Sequence, residues 1–179
     1  MAYFLASIIS VVAATIILLT RYEADDSEIM SELEHMKVML SSVDSFVNTY
    51  INSGASLTDI NFKVLGDNAI LLNNMTVTED AGGDTFKSTV TFPNNSIKWQ
   101  IIPNPSDGSS YKLLIDMRGN TSLMNRAIFS ESFVGREYCQ KNLFGDFANT
   151  LNSYDATAKD FVNSGGTTSD GLFVCTVYK

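Results

Sequence analysis

The chain has 179 residues, with 20 Asp and Glu against 12 Lys and Arg, a formal net charge of −8, two cysteines and one histidine. That balance excludes a general nucleic-acid-binding surface, which needs clustered cations to neutralise phosphate. With the apolar N-terminal stretch set aside, roughly 150 residues remain, the usual size of one domain with its own core.

The first twenty residues, MAYFLASIISVVAATIILLT, contain no charged side chain, no Gly and no Pro. A run of about 20 apolar residues crosses a bilayer as a helix, and inserted segments normally carry basic residues ahead of that run. None precedes this one. Either Met1 is the initiator and its amine the only positive charge on that side, or a basic leader has been removed; the second reading is preferred. Ala2, Ala6, Ser10 and Ala14, with Ala13 beside them, put small side chains along one stripe of a helix, which lets helices approach closely where no water drives them together. Leu5 and the other large residues make the rest of the surface apolar, so the helix must be enclosed by lipid or by other protein. A single-pass anchor satisfies this, and so does a helix packed among copies of itself, which the stripe favours. Beyond Arg21 come Glu23, Asp25, Asp26, Glu28, Glu32 and Glu34 before Lys37. Cytoplasmic flanks are rich in Lys and Arg, so the head is expected outside the cytoplasm.

From Ile29 to Tyr50 the apolar positions Ile29, Leu33, Met36, Leu40, Val43, Val47 and Tyr50 step alternately by four and three. The period predicts an amphipathic helix on a core, ending near Asn52, Ser53 and Gly54. No Gly or Pro separates it from the apolar run, so one continuous rod is expected, with a weak point at Asp25–Ser27, which are good N-caps. After Gly54 the texture becomes short β-rich runs between Asn, Gly, Asp and Ser. Ala69–Leu72 is short and apolar; Ser88–Phe92 and Ile97–Ile102 flank Pro93–Asn95 as a hairpin. Tyr111–Met117 follows a turn-rich segment, and Leu172–Tyr178 is a final strand. Ser122–Phe129 and Glu137–Leu151 look helical. The expected architecture is α+β: a long N-terminal helix, apolar stem plus amphipathic half, packed on a mainly antiparallel sheet. It divides into a stem (1–24), the amphipathic half (25–53) and a β-rich head (54–179).

Cys139 and Cys175 read as one disulfide in an exported domain, stabilising it by roughly 3 to 4 kcal/mol, and as free core thiols in a cytosolic one. His35, on an acidic helix face beside Glu32 and Glu34, lacks the partners of a metal site or triad and reads as solvated. No P-loop, dinucleotide or nucleophile-elbow motif occurs, so neither an enzyme nor a cofactor is expected. Glu79, Asp80 and Asp84 offer oxygen ligands for calcium without the spacing of an EF-hand, and read as a solvated turn. Asn74, Asn94 and Asn120 each open an Asn-x-Ser/Thr triplet. Phe144, Phe147, Tyr154 and Phe161 read as local core.

The order of these features resembles a type IV pilin of the larger type IVb kind: an apolar N-terminal helix, an amphipathic second half, a β-rich head and two late cysteines. The resemblance implies removal of a basic leader by a prepilin peptidase, methylation of the new N-terminal residue, Met1, and a disulfide-bounded segment from Cys139 to Cys175. It further implies a homopolymeric extracellular filament, held in the inner membrane before the pilus assembly machinery extracts each subunit. Most such pilins carry a glutamate at the position of Leu5, which meets a neighbour's N-terminal amine. Without it, register in the filament core would depend on the close packing of Ala2, Leu5, Ala6, Ser10 and Ala14. The same departure admits a minor pilin or pseudopilin as an alternative, and a single-pass membrane-anchored binding or sensor domain is a third.

Overall fold

Helix α1 covers residues 30–52 of the computed structural model, which describes residues 27–28, 30–118, 141–144, 154–161 and 172–179. The chain divides into two compact units, 1–36 and 37–179. In the first, Leu33 and Met36 are buried. In the second, the stripe continues as Met39, Leu40, Val43, Phe46, Val47 and Tyr50, all buried, while Ser41, Ser45, Asn48 and Thr49 face water. Gly54, at φ 88°, ends the helix. Its N–H donates to the Ile51 carbonyl (2.9 Å) and that of Ala55 to the Tyr50 carbonyl (3.4 Å), the paired bonds of a Schellman close, which occupy carbonyls the helix leaves open.

Helix α2 (Phe62–Asp67) is started by Asn61, whose side chain accepts from the Val64 N–H at 2.9 Å. It closes by the same two bonds, Ala69 N–H to the Gly66 carbonyl and Ile70 N–H to the Leu65 carbonyl. Here an alanine, at φ 56°, occupies the left-handed position.

Strands β1 (Thr76–Thr78), β2 (Thr89–Thr91), β3 (Lys98–Pro103), β4 (Ser110–Asp116), β5 (Lys141–Phe144) and β8 (Leu172–Tyr178) form one antiparallel sheet in the order β1-β2-β3-β4-β8-β5. Strands β6 (Tyr154–Asp155) and β7 (Asp160–Phe161) pair as a separate ribbon. Because successive side chains alternate, the register sorts the sheet into two faces. Val90, Trp99 and Ile115 align across β2, β3 and β4, and Ile101, Leu113 and Cys175 across β3, β4 and β8. Tyr111 shares this face, and its hydroxyl donates to Asp44 of α1 at 3.1 Å, which places that part of the helix over it. On the opposite face Ile102, Leu114, Val174 and Phe161 of β7 form a buried cluster, with Phe86 packed against it. Lys112 reaches Asp160 on the same side at 2.6 Å. Covered on both faces, β4 is buried at every position except Lys112.

The structure corrects the expected architecture. The helix that accompanies the sheet is α1, an amphipathic element, and among the described residues there is no long apolar helix and none long and apolar enough to cross a membrane. The long-stem, pilin-like fold is therefore withdrawn. The physical reason lies in the stripe of α1, buried from Leu33 onward; an element with one wet face packs on a sheet and needs no apolar continuation to be stable. Residues 1–26 lie outside the described residues, as does Ser122–Phe129. Within the expected helix Glu137–Leu151, residues 141–144 form β5 instead, because β8 presents an edge whose backbone groups they satisfy. Ala69–Leu72 is not a strand but the exit of α2.

The left-handed alanine yields an expected outcome. An L-residue with a Cβ is strained in that region by roughly 1–2 kcal/mol, so Ala69→Gly should raise the stability of the head by about 1 kcal/mol, read as a higher urea midpoint with an unchanged slope. An unchanged or lower midpoint would contradict the assigned close of α2.

Candidate functional site

Two arrangements of polar side chains stand out against the apolar framework. The first centres on Asp44, on the polar border of α1 in the unit 37–179. Its Oδ1 accepts from the Tyr111 hydroxyl and from the Lys179 ammonium, and its Oδ2 from the Asn48 side chain at 3.1 Å. The Lys179 N–H also donates to the Ser109 carbonyl at 2.8 Å, so helix, β4 and the residue after β8 meet at one carboxylate. Tyr111 is held well above the ordinary tyrosine range, first by burial and then by the charge of Asp44 and the bond to it. The constellation contains an acid and a base, but its contacts join elements of the fold, and its chemistry is that of a clamp.

The second is a cleft of about 460 Å³ at the β3–β4 turn, lined by Thr58, Asp59, Phe86, Pro103, Asn104, Pro105, Gly108 and Lys159. The turn is rigid. Asn104 is buried and donates its side-chain amide to Ser110 Oγ at 2.7 Å while accepting from the Ser106 N–H. Asp107 accepts from both the N–H and the hydroxyl of Ser109, bonds that hold its carboxyl below the usual range. Thr58 and Asp59 come from a short 3-10 turn (Leu57–Asp59), and Lys159 from the β6–β7 turn, at φ 51°. Asp59 also acts after burial in raising the Tyr50 hydroxyl above its ordinary range. An apolar wall of Phe86 and two prolines beside one carboxylate and one ammonium suits reversible capture of a small polar molecule with a flat apolar side. Within the lining the Thr58 hydroxyl donates to the Asp59 carboxylate at 3.3 Å.

The residues singled out from sequence divide sharply. Met1, Ala2, Leu5, Ala6, Ser10, Ala14 and Cys139 lie outside the described residues. Cys175 is fully buried in β8 and disulfide-bonded. His35 is exposed. The three acids considered for calcium each have another partner: Glu79 pairs with Lys63 at 3.0 Å, Asp80 accepts from the Gly82 N–H, and Asp84 caps the short turn Thr85–Lys87. Among the described residues no group of three or more His, Cys, Asp or Glu is placed to hold a metal ion. Phe161 belongs to the core. Asp44, Tyr111 and the cleft went unread in the sequence; the segment NPSDGSS marked a turn, but nothing in it announces a cavity.

No family model, curated protein or solved structure matches the chain.

The displaced titration of Tyr111 has a definite sign. Its folded-state pKa lies above its ordinary value of 10.0, so its contribution is complete below about pH 10 and is lost as the pH rises, because the unfolded chain ionises first. Tyr111→Phe should abolish this part of the alkaline destabilisation, and the melting temperatures of wild type and variant should converge between about pH 9 and 11. Parallel curves would show that Tyr111 is not the group concerned.

Proposed function

We propose that the chain is the exported structural subunit of a pilus-like surface filament, assembling through its apolar N-terminal segment, residues 1–20, and displaying the acidic head. The carrying observation is that uncharged run with its small-residue stripe Ala2, Ala6, Ser10, Ala14, followed by an acidic flank. The disulfide-bonded state of Cys175 supports the same placement, since disulfides persist outside the reducing cytosol; Cys139 is the partner in this reading. Assembly is noncovalent. Burial of the segment in the inner membrane is exchanged for burial against copies of itself, with Leu5 leaving register to close packing. A prepilin peptidase, methylation of Met1 and the pilus assembly machinery belong to the proposal, whereas catalysis and cofactors do not.

A second reading is favoured by the cleft: a membrane-anchored binding module whose apolar segment stays in lipid while Asp59, Phe86, Asn104 and Lys159 face a small ligand. Shearing cells separates the two. A filament subunit is released with surface material, while an anchored module is recovered only with detergent-solubilised membrane. Replacing Ala6 or Ser10 by Phe should lower the sheared yield at least tenfold without changing the melting temperature of the head; normal yield from both variants would remove the packing stripe as the assembly surface. Cys139→Ser should lower the melting temperature of the exported head by about 10 °C.

A further inference from the structure

The Asn-x-Ser/Thr triplets acquire a meaning from the fold that they lack in the sequence. Asn74-Met75-Thr76 runs into β1, and Asn94-Asn95-Ser96 forms the connection from β2 to β3. Thr76 pairs with Thr91 across β1 and β2, and Thr91 pairs with Lys98 across β2 and β3. The chain therefore enters β1 and turns out of β2 at one end of the sheet, so that Asn74 and Asn94 share a rim. Both are exposed, as are the hydroxyl residues Thr76 and Ser96.

Local geometry presents the two amides outward. Asn94 sits at φ 56° at the tip of the hairpin, after Pro93, in a turn closed by the Asn95 N–H on the Phe92 carbonyl at 3.2 Å. Asn74 lies in the turn closed by the Met75 N–H on the Leu72 carbonyl at 3.0 Å. Neither side chain is hydrogen-bonded among the described residues. Asn48, Asn61, Asn68, Asn95 and Asn104, by contrast, are all engaged with neighbours. The rim also adjoins β1, the last strand on its side of the sheet among the described residues, an edge position that invites pairing with another chain.

We infer that Asn74 and Asn94 are paired acceptors for N-linked oligosaccharide, a modification rim that covers the approach to the β1 edge. The inference rests on the exported placement proposed above. In the step, a membrane-bound transferase takes an oligosaccharide from a polyprenyl-diphosphate donor. The Asn Nδ2 forms a bond to the anomeric carbon, the bond from that carbon to the diphosphate oxygen breaks, and the displaced amide proton passes to a base of the transferase. No oxidant or reductant is involved.

The test is intact-mass and peptide mass spectrometry of the full chain purified from the cells that make it, together with labelling of intact cells by a membrane-impermeant amine reagent that reads exposed Lys98. The expected result is one sugar increment on the Asn74 peptide and one on the Asn94 peptide. Asn74→Gln and Thr76→Ala each remove one, Asn94→Gln and Ser96→Ala each remove the other, and Asn73→Gln removes none. The Thr and Ser variants keep the asparagine, which separates recognition of the triplet from any role of the amide in folding. Bare Asn74 and Asn94 on a chain that the reagent labels would overturn the inference and leave the exported placement standing; a bare chain that the reagent does not reach would overturn both. Sugar at one site alone, or sugar persisting in the Thr76→Ala and Ser96→Ala variants, would also overturn the paired rim.

Discussion

Strand β4 has to hide side chains on both of its faces, and most of the head follows from that requirement. One face carries Tyr111, Leu113 and Ile115, with Tyr111 bonded to Asp44 of α1; the other carries Leu114, covered with Ile102 and Val174 by Phe161 of the β6–β7 ribbon and by Phe86. Polar groups on the same strand must then be answered inside the structure, since burial without a partner is costly. Lys112 is answered by Asp160 and Tyr111 by Asp44. In β3 the amide of Gln100 donates to the Phe86 carbonyl at 2.8 Å. Each answer also ties the sheet to an element that covers it, so the polar contacts specify which segment lies on which face while the apolar ones supply the driving force.

Where a local pattern decides the structure, the sequence is readable. The alternating steps from Leu33 to Tyr50 mark the buried stripe of α1, Pro93–Asn95 marks the hairpin, and β4 and β8 read as strands because their apolar runs are long enough to be buried on both sides. What stays hidden is decided at a distance. β5 lies in a stretch of helical character and is a strand only because β8 offers an edge. β1 is a Thr-Val-Thr whose pairing with β2 gives it its state. Helix α2 is short and closed by an alanine where glycine is the usual signal. Asp44 and Tyr111 are far apart in the chain, and no spacing rule connects them. A continuous apolar rod is not found among the described residues, and the absence of Gly and Pro that suggested one permits a helix but does not require it.

The proposed roles fall at opposite ends of β3. The strand begins at Lys98, beside the rim of Asn74 and Asn94, and finishes at Pro103, in the wall of the cleft. The Asp44 clamp sits toward the cleft end, because Tyr111 pairs with Pro103. Sugar at the rim would therefore leave the cleft and its hydrogen-bonded turn accessible, and a ligand in the cleft would press on elements already fastened together. A surface paved with such heads would show two chemically distinct regions, one carbohydrate and one acidic protein.

The order of strands in the sheet has a kinetic consequence. β8, residues 172–178, lies between β4 and β5 and not at a margin, so β5 joins the sheet only through a strand that follows it in the chain. Until it arrives, β4 lacks a neighbour on one side, β5 has nothing to join, and the disulfide of Cys175 cannot form. Contacts of such long sequence separation close slowly. The meander β1–β2–β3–β4 pairs neighbouring segments and can form early, while the half of the sheet made by β8 and β5 closes later.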